Sequence, residues 1–149
     1  MKAKTQRVNV LLIGNNPVEL GYVYDFLKNF KPITFITKTS FSLKDSLSKL
    51  KEKPNAILID DNFNDGNIDT LIREINENEE TREIPVTLLK TSNYKEVNVA
   101  GIADYLLKDS LSAEKLTRSI MNAIKFKKTR RYLYYNYKVN KRRFKNFLR

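Results

Sequence analysis

The sequence contains no cysteine and no histidine among its 149 residues. Without cysteine neither a disulfide framework nor a thiolate zinc site can form, and without histidine the Ser/His/Asp and Cys/His catalytic groupings are excluded. Two large classes of enzyme are therefore ruled out, and we expect that the protein is not an enzyme. A chain of this length corresponds to about one domain with its own apolar core.

Long apolar runs are also lacking. The N-terminal stretch MKAKTQRVNVLLIG places basic residues before an apolar run. That run, from Val8 to Ile13, is interrupted by Asn9 and is too short for a signal-peptide core or a membrane span. We expect a cytoplasmic protein that does not contact a membrane.

Acidic residues are missing from the C-terminal part of the chain. Residues 125–149 hold 11 Lys and Arg and no Asp or Glu, so the net charge of +11 resides there and residues 1–124 are neutral. We predict a domain over residues 1–124, followed by a basic, aromatic helical extension over residues 125–149.

Short apolar runs alternate with stretches of helical spacing. The runs predict five strands, VNVLLI (8–13), ITFIT (33–37), AILI (56–59), PVTLL (85–89) and DYLL (104–107). Between them, Asn16-Pro17 predicts a helix start, and periodic apolar residues predict further helices around residues 43–50, 68–75 and from 112 onwards, with room for only a short helix between 91 and 101. This alternation predicts a doubly wound α/β domain with a parallel sheet.

Ligands of such sheets bind beyond the carboxyl ends of the strands. The residues at those ends are Gly14, Asn15, Asn16, Asp60, Asp61, Asn62, Lys90, Thr91, Lys108 and Asp109. An aspartate among lysines is the centre of this set.

The stretches that carry these residues resemble the receiver domain of two-component response regulators. PNAILIDDNFNDG (54–66) resembles the phospho-acceptor strand and its turn, EIPVTLLKT (83–91) the fourth strand, and AGIADYLLKD (100–109) the fifth. The resemblance implies a flavodoxin-like fold with strand order 2-1-3-4-5. It also implies that Asp60 is the phospho-acceptor, Lys108 the family's lysine and Tyr105 its switch aromatic.

Two departures from the family pattern bear on function. Receivers place two acids after strand 1 to hold Mg²⁺, whereas Gly14 and Asn15 stand at those positions. Since Mg²⁺ prefers carboxylate oxygens, we expect no cofactor, with Asp60 and Asn62 as the remaining ligands for a weakly bound Mg²⁺. The switch hydroxyl is replaced by Lys90, which we expect to pair with Asp60. Asp61, in the phospho-acceptor loop, is expected to point elsewhere as a strand-end cap.

These observations favour an atypical receiver that acts as a signalling and protein-interaction module without efficient Mg²⁺-dependent phosphorylation, in a phosphorelay with a histidine kinase or a downstream effector. The alternative is a conventional receiver phosphorylated at Asp60, in which Asp61 or Asn16 partly rescues metal binding.

The extension supports more than one interpretation. With no proline after Pro85 and no glycine after Gly101, a helix from 112 to 149 would span roughly 57 Å. Phe126, Leu133, Tyr137, Phe144 and Phe147 form a heptad-like seam with Asn140 in its gap, which predicts a homodimer or docking back on the domain. A second alternative function is nucleic-acid binding, because cations and rings interleave in this segment. The candidate surface cations are Lys127, Lys128, Arg130, Arg131, Arg142 and Arg143.

Overall fold

A computed structural model describes residues 6–31, 33–91 and 101–148, without the side chains of residues 65, 66, 144 and 146–148. The elements are β1 (Arg7–Ile13), α1 (Pro17–Lys28), β2 (Thr34–Ser40), α2 (Leu43–Leu50), β3 (Ala56–Asp60), α3 (Asp65–Glu77), β4 (Val86–Lys90), β5 (Asp104–Leu107), a 3-10 turn (Lys108–Ser110) and α4 (Ala113–Leu148). The short helix predicted between 91 and 101 falls on residues 92–100, outside the described residues.

The five strands pair in parallel in the order β2-β1-β3-β4-β5, as predicted. Successive side chains of a strand point to opposite faces of the sheet. In β3, Ile57 and Ile59 therefore join one core cluster, while Leu58 joins the other. We call the first, packed with helices α2 and α3, the α2/α3 core, and the second, packed with α1 and α4, the α1/α4 core.

Helix α1 begins where the sequence predicts. Asn16 is its N-cap, and its side-chain oxygen accepts hydrogen bonds from the backbone N–H groups of Val18 (2.9 Å) and Glu19 (3.3 Å). Pro17 occupies the first helical turn, where its missing N–H leaves no intrahelical bond unmade. This start places the first turn of α1 beside the carboxyl ends of β1 and β3.

Helix α4 is one uninterrupted helix of 36 residues, about 54 Å long. Leu116 and Ile120 pack in the α1/α4 core, and Ala123 is the last buried residue of the helix among the side chains described. The predicted long C-terminal helix is confirmed. Its second half, from residue 125, has no buried side chain among those described.

Candidate functional site

Asp60 is the last residue of β3, and its side chain is fully buried. It lies on the same face of the sheet as Leu58, two residues earlier. Its Oδ1 accepts hydrogen bonds from Nζ of Lys108 (2.8 Å) and from the backbone N–H of Asn62 (3.0 Å). Its Oδ2 is buried and accepts no hydrogen bond within the described part of the chain. The predicted pair of Asp60 and Lys108 is therefore formed.

The ammonium group of Lys108 lies among three carboxylates. Besides Asp60, it is 3.3 Å from Oε2 of Glu19 and 3.6 Å from Oδ1 of Asp61. The Lys108 side chain is 18% exposed and those of Asp60 and Asp61 are buried, so these charges attract strongly, whereas Glu19 is 44% exposed and its attraction is screened by solvent. The ammonium group of Lys108 thus binds one acid from α1 and two acids from the end of β3 and the residue after it.

Burial shifts the pKa values of Asp60 and Lys108 in opposite directions. Burial raises the pKa of the Asp60 carboxyl above its ordinary value of 3.8, against the hydrogen bonds from Lys108 and Asn62 that lower it. Burial alone would lower the pKa of Lys108, but its bonds with Asp60 and Glu19 outweigh it and raise that pKa. Lys108 is therefore charged at neutral pH, and Asp60 is harder to ionise than an exposed aspartate.

Asn62 and Asn15 join the loops that follow β3 and β1, beside Asp60. The Asn62 side-chain oxygen accepts from the backbone N–H of Asn15 (3.2 Å), and its Nδ2 donates to Oε2 of Glu19 (2.7 Å). In return, Nδ2 of Asn15 donates to the backbone carbonyl of Asn62. Asn15 thus presents N–H groups where the resemblance implies a metal-binding carboxylate.

Gly14 lies against the buried aspartate. A Cβ added to it would be 3.1 Å from Cβ of Asp60 and 3.0 Å from Cδ2 of Leu20. Such contacts are tighter than ordinary packing allows without displacing a neighbour. A side chain at position 14 would therefore require Leu20 or Asp60 to shift by a few tenths of an ångström.

Asp61 acts as a strand-end cap, as expected, but it also lies close to Lys108, which was not expected. Its two carboxylate oxygens accept from the backbone N–H and from Oγ1 of Thr91, both at 2.7 Å, so it caps the chain as it leaves β4. The expectation that it points away from the site was wrong, because it is buried and 3.6 Å from Lys108 Nζ. Asp61 ties the end of β4 to the site.

The expected pair between Lys90 and Asp60 was wrong. Lys90 has the same alternation as Val86 and Leu88, which pack in the α2/α3 core, whereas Asp60 lies on the α1/α4 face. Nζ of Lys90 instead lies 5.5 Å from the ring centroid of Tyr105, which is 43% exposed. The two predicted switch positions contact each other, and within the described residues Lys90 makes no ion pair with Asp60.

Glu19 is the site residue that the sequence reasoning missed. It stands three positions after the N-cap Asn16, where an acid often completes a helix start. The signal was available, since an acid in the first turn of a helix that follows β1 faces the carboxyl ends of the strands. Its carboxylate is the link between Asn62 and Lys108.

The family fold implies Mg²⁺ at this place, and the side chains do not fit it. Within residues 6–31, 33–91 and 101–148, no group of three or more His, Cys, Asp or Glu is arranged to hold a metal ion. The three carboxylates around Lys108 face its ammonium group, and Asn15 directs N–H groups toward Asn62. A divalent cation would meet Lys108 already bound to one oxygen of each of these carboxylates, with Oδ2 of Asp60 as the buried oxygen that Lys108 leaves without a hydrogen bond.

The predicted cations of the extension lie on the second half of α4. Lys128, Arg130, Arg131, Arg142 and Arg143 are exposed and Lys127 is half-buried. Of the predicted seam, Phe126, Leu133 and Tyr137 are each more than 60% exposed, whereas the side chains of Phe144 and Phe147 lie outside the described part. The described part of the seam therefore does not dock back on the domain.

No protein-family model matches this sequence, and no curated protein matches it. Solved structures do match. A sensor protein from Polaromonas sp. is 20% identical with a TM-score of 0.69, and the match covers 80% of this chain and 98% of that chain. A response regulator receiver domain protein from Clostridium thermocellum is 22% identical with a TM-score of 0.68, covering 82% and 98% of the two chains.

A third similar structure is the receiver domain of a sensor histidine kinase from Pseudomonas aeruginosa, with a magnesium ion coordinated in its active-site cleft. It is 21% identical with a TM-score of 0.67, covering 78% of this chain and 97% of that one. The chain therefore has the fold of response-regulator receiver domains. Among the residues described, no helix is both long and apolar enough to span a membrane.

Proposed function

We propose that this chain is an atypical receiver domain of a two-component system, a signalling and protein-interaction module that does not depend on Mg²⁺-assisted phosphorylation of Asp60. Its partners would be a histidine kinase or a downstream effector. The proposal rests on the fold together with the chemistry of the site.

The observation that carries the proposal is the position of the Lys108 ammonium group, at 2.8, 3.3 and 3.6 Å from three carboxylates. Phosphoryl transfer to a carboxylate needs positive charge that neutralises the incoming phosphoryl oxygens. Here the nearest positive charge is already bound by Asp60, Glu19 and Asp61. A metal ion bound to these carboxylates would lie close to this ammonium group and be repelled by it.

The accessibility of Asp60 supports the same conclusion. A carboxylate that attacks phosphorus must reach within bonding distance of it, and the Asp60 side chain is fully buried. Asn15 and Asn62 hydrogen-bond to each other beside the site. Attack by Asp60 therefore requires a local rearrangement that exposes its carboxylate.

The test is phosphorylation by a small phosphodonor. The purified chain is incubated with acetyl phosphate and Mg²⁺, and its intact mass is followed over time beside a receiver that is known to be phosphorylated. We expect no stoichiometric phosphoryl adduct. Rapid and complete phosphorylation that is abolished in Asp60→Asn would contradict the proposal and establish the conventional receiver instead.

Metal binding gives a second, independent measurement. A ligand that binds the folded state raises the midpoint of thermal unfolding. We expect the wild-type chain to unfold at the same midpoint temperature in Mg²⁺ as in NaCl of equal ionic strength. A shift specific to Mg²⁺ and lost in Asp60→Asn would favour the conventional alternative.

A further inference from the structure

The second half of α4 projects beyond the sheet. From residue 125 to residue 148 the helix is about 36 Å long, and only Lys127, Asn136 and Val139 are half-buried among its described side chains. In proteins most of the stability of a helix comes from packing of one of its faces. Most of this segment has no such packing among the described residues, so its surface is accessible to a partner.

The charges of this segment are not neutralised within the described part of the chain. Residues 125–149 contain 11 cations and no acid, and no ion pair joins any described cation among them to a carboxylate. Lys127 donates to the backbone carbonyl of Arg82 (3.4 Å), and Lys138 lies 4.8 Å from the ring centroid of Tyr134. This uncompensated positive charge is complementary to a polyanion.

The cations share a face with exposed rings. Lys127, Arg131, Lys138, Arg142 and Lys145 follow one another at helical spacing and form what we call the basic face. Tyr134 and Tyr135 border it, with 59% and 66% of their side chains exposed. Cations that track a backbone beside rings that stack on bases are the two components of single-strand nucleic-acid binding.

The basic face continues into a cleft between α4 and the turn before β4. The cleft is lined by Arg82, Glu83, Lys127, Arg130, Arg131 and Tyr134. Four cations face one carboxylate there, and one of the four comes from the domain body. A phosphate in this cleft would contact both the body and the helix.

The exposed apolar residues of the predicted seam lie to one side of the basic face. Phe126, Leu133 and Tyr137 are centred about 120° around the helix from it. A lipid surface that buried these side chains would turn most of the basic face away from the membrane, and a flat surface does not enter a concave cleft. Self-association through them would leave the basic face free.

We propose that the basic face of α4, with the cleft at Arg82, binds single-stranded nucleic acid through its phosphates and through stacking on Tyr134 and Tyr135. Association depends on salt, since bound cations are released from the nucleic acid. This surface is separate from the Asp60 site, and the proposal stands whether or not Asp60 is phosphorylated.

The experiment measures fluorescence anisotropy of the full chain with labelled oligothymidine, an RNA of the same length and a DNA duplex, over a range of NaCl. We expect the logarithm of the binding constant to fall linearly with the logarithm of the salt concentration. The triple variant Arg131→Gln, Lys138→Gln, Arg142→Gln should weaken single-strand binding at least about tenfold and reduce the magnitude of its salt slope by about 2.

The matched control is Lys28→Gln, Lys44→Gln, Lys51→Gln, which removes the same charge from exposed positions of the domain body. It should change affinity much less than the triple variant of the basic face. Tyr134→Ala with Tyr135→Ala should weaken single-strand binding about tenfold or more and duplex binding less. An equal loss in both charge triples would overturn the proposal, as would binding to phosphatidylserine vesicles but to no nucleic acid.

Discussion

Nζ of Lys108 lies 2.8 Å from Oδ1 of Asp60, a carboxylate with no exposed surface. The pair follows from the alternation of two strands. Asp60 is two residues beyond Leu58 and Lys108 is two beyond Leu106, and both leucines pack in the α1/α4 core. The ion pair therefore lies at the end of that core nearest the carboxyl ends of the strands.

Lys108→Met should lower the free energy of unfolding by about 3 kcal/mol, because it leaves Asp60, Asp61 and Glu19 together without their cation. Urea denaturation at neutral pH measures the change. The control is Lys38→Met, whose partner Glu52 and whose own side chain are more than half exposed. That variant should change stability by less than about 1 kcal/mol. Equal effects of the two substitutions would refute a special role for the buried pair.

Asp60→Asn should change the pH dependence of stability. Because burial raises the pKa of Asp60 in the folded state, its contribution is fully present below the unfolded-state pKa near 3.8 and is lost as pH rises through the folded-state value. In the asparagine variant no carboxyl group ionises at this position, so this loss of stability with rising pH does not occur. Its free energy of unfolding minus that of wild type should therefore increase with pH above about 4 and then level off. Urea denaturation across this range measures the difference.

Asp45→Asn is the control of opposite sign. The hydrogen bond from Lys49 lowers the pKa of Asp45, so its stabilisation is present above 3.8 and is lost as pH falls through the lower folded-state value. The difference between this variant and wild type should therefore become more negative as pH rises through the region below 3.8. A falling difference for Asp60→Asn above pH 4 would mean that the Asp60 pKa is not raised.

Most of the fold was predictable because it depends on patterns of apolar residues. The run Ile57, Leu58, Ile59 is typical of a strand covered on both faces, and the spacing of Leu20, Val23 and Leu27 is typical of a helix with one buried side. All six are buried. Such patterns are local, so one sequence suffices to interpret them.

The site was predictable only in part, because it depends on the direction in which each side chain points as well as on its position in the sequence. The resemblance placed Asp60 and Lys108 correctly, but it also placed Lys90, at the position of the switch hydroxyl, in the same pocket. Alternation from Leu88 would have directed it to the opposite face. Glu19 was missed because its contact with Lys108 spans 89 residues and joins a helix to a strand end.

Asp61 and Thr91 should be energetically coupled. Asp61→Ala removes two hydrogen bonds of 2.7 Å and leaves the backbone N–H of Thr91 without its partner, which should cost about 1 to 3 kcal/mol. Thr91→Ala removes the hydroxyl bond alone and should cost less. The double-mutant cycle should give a coupling energy of at least about 0.5 kcal/mol. Strict additivity would show that the hydroxyl bond contributes nothing.

Gly14→Ala and Gly21→Ala should have effects of opposite sign. At position 14 the new methyl group would press on Leu20 and Asp60, at 3.0 and 3.1 Å, and overpacking of this kind costs about 1 to 3 kcal/mol. At position 21, inside α1, an added Cβ meets nothing within 4 Å, so alanine should stabilise the helix by about 0.5 to 1 kcal/mol. Urea denaturation of the two variants makes the comparison. Because a carboxylate side chain at position 14 begins with the same Cβ, stabilisation by both substitutions would show that packing against Asp60 does not exclude an acid there.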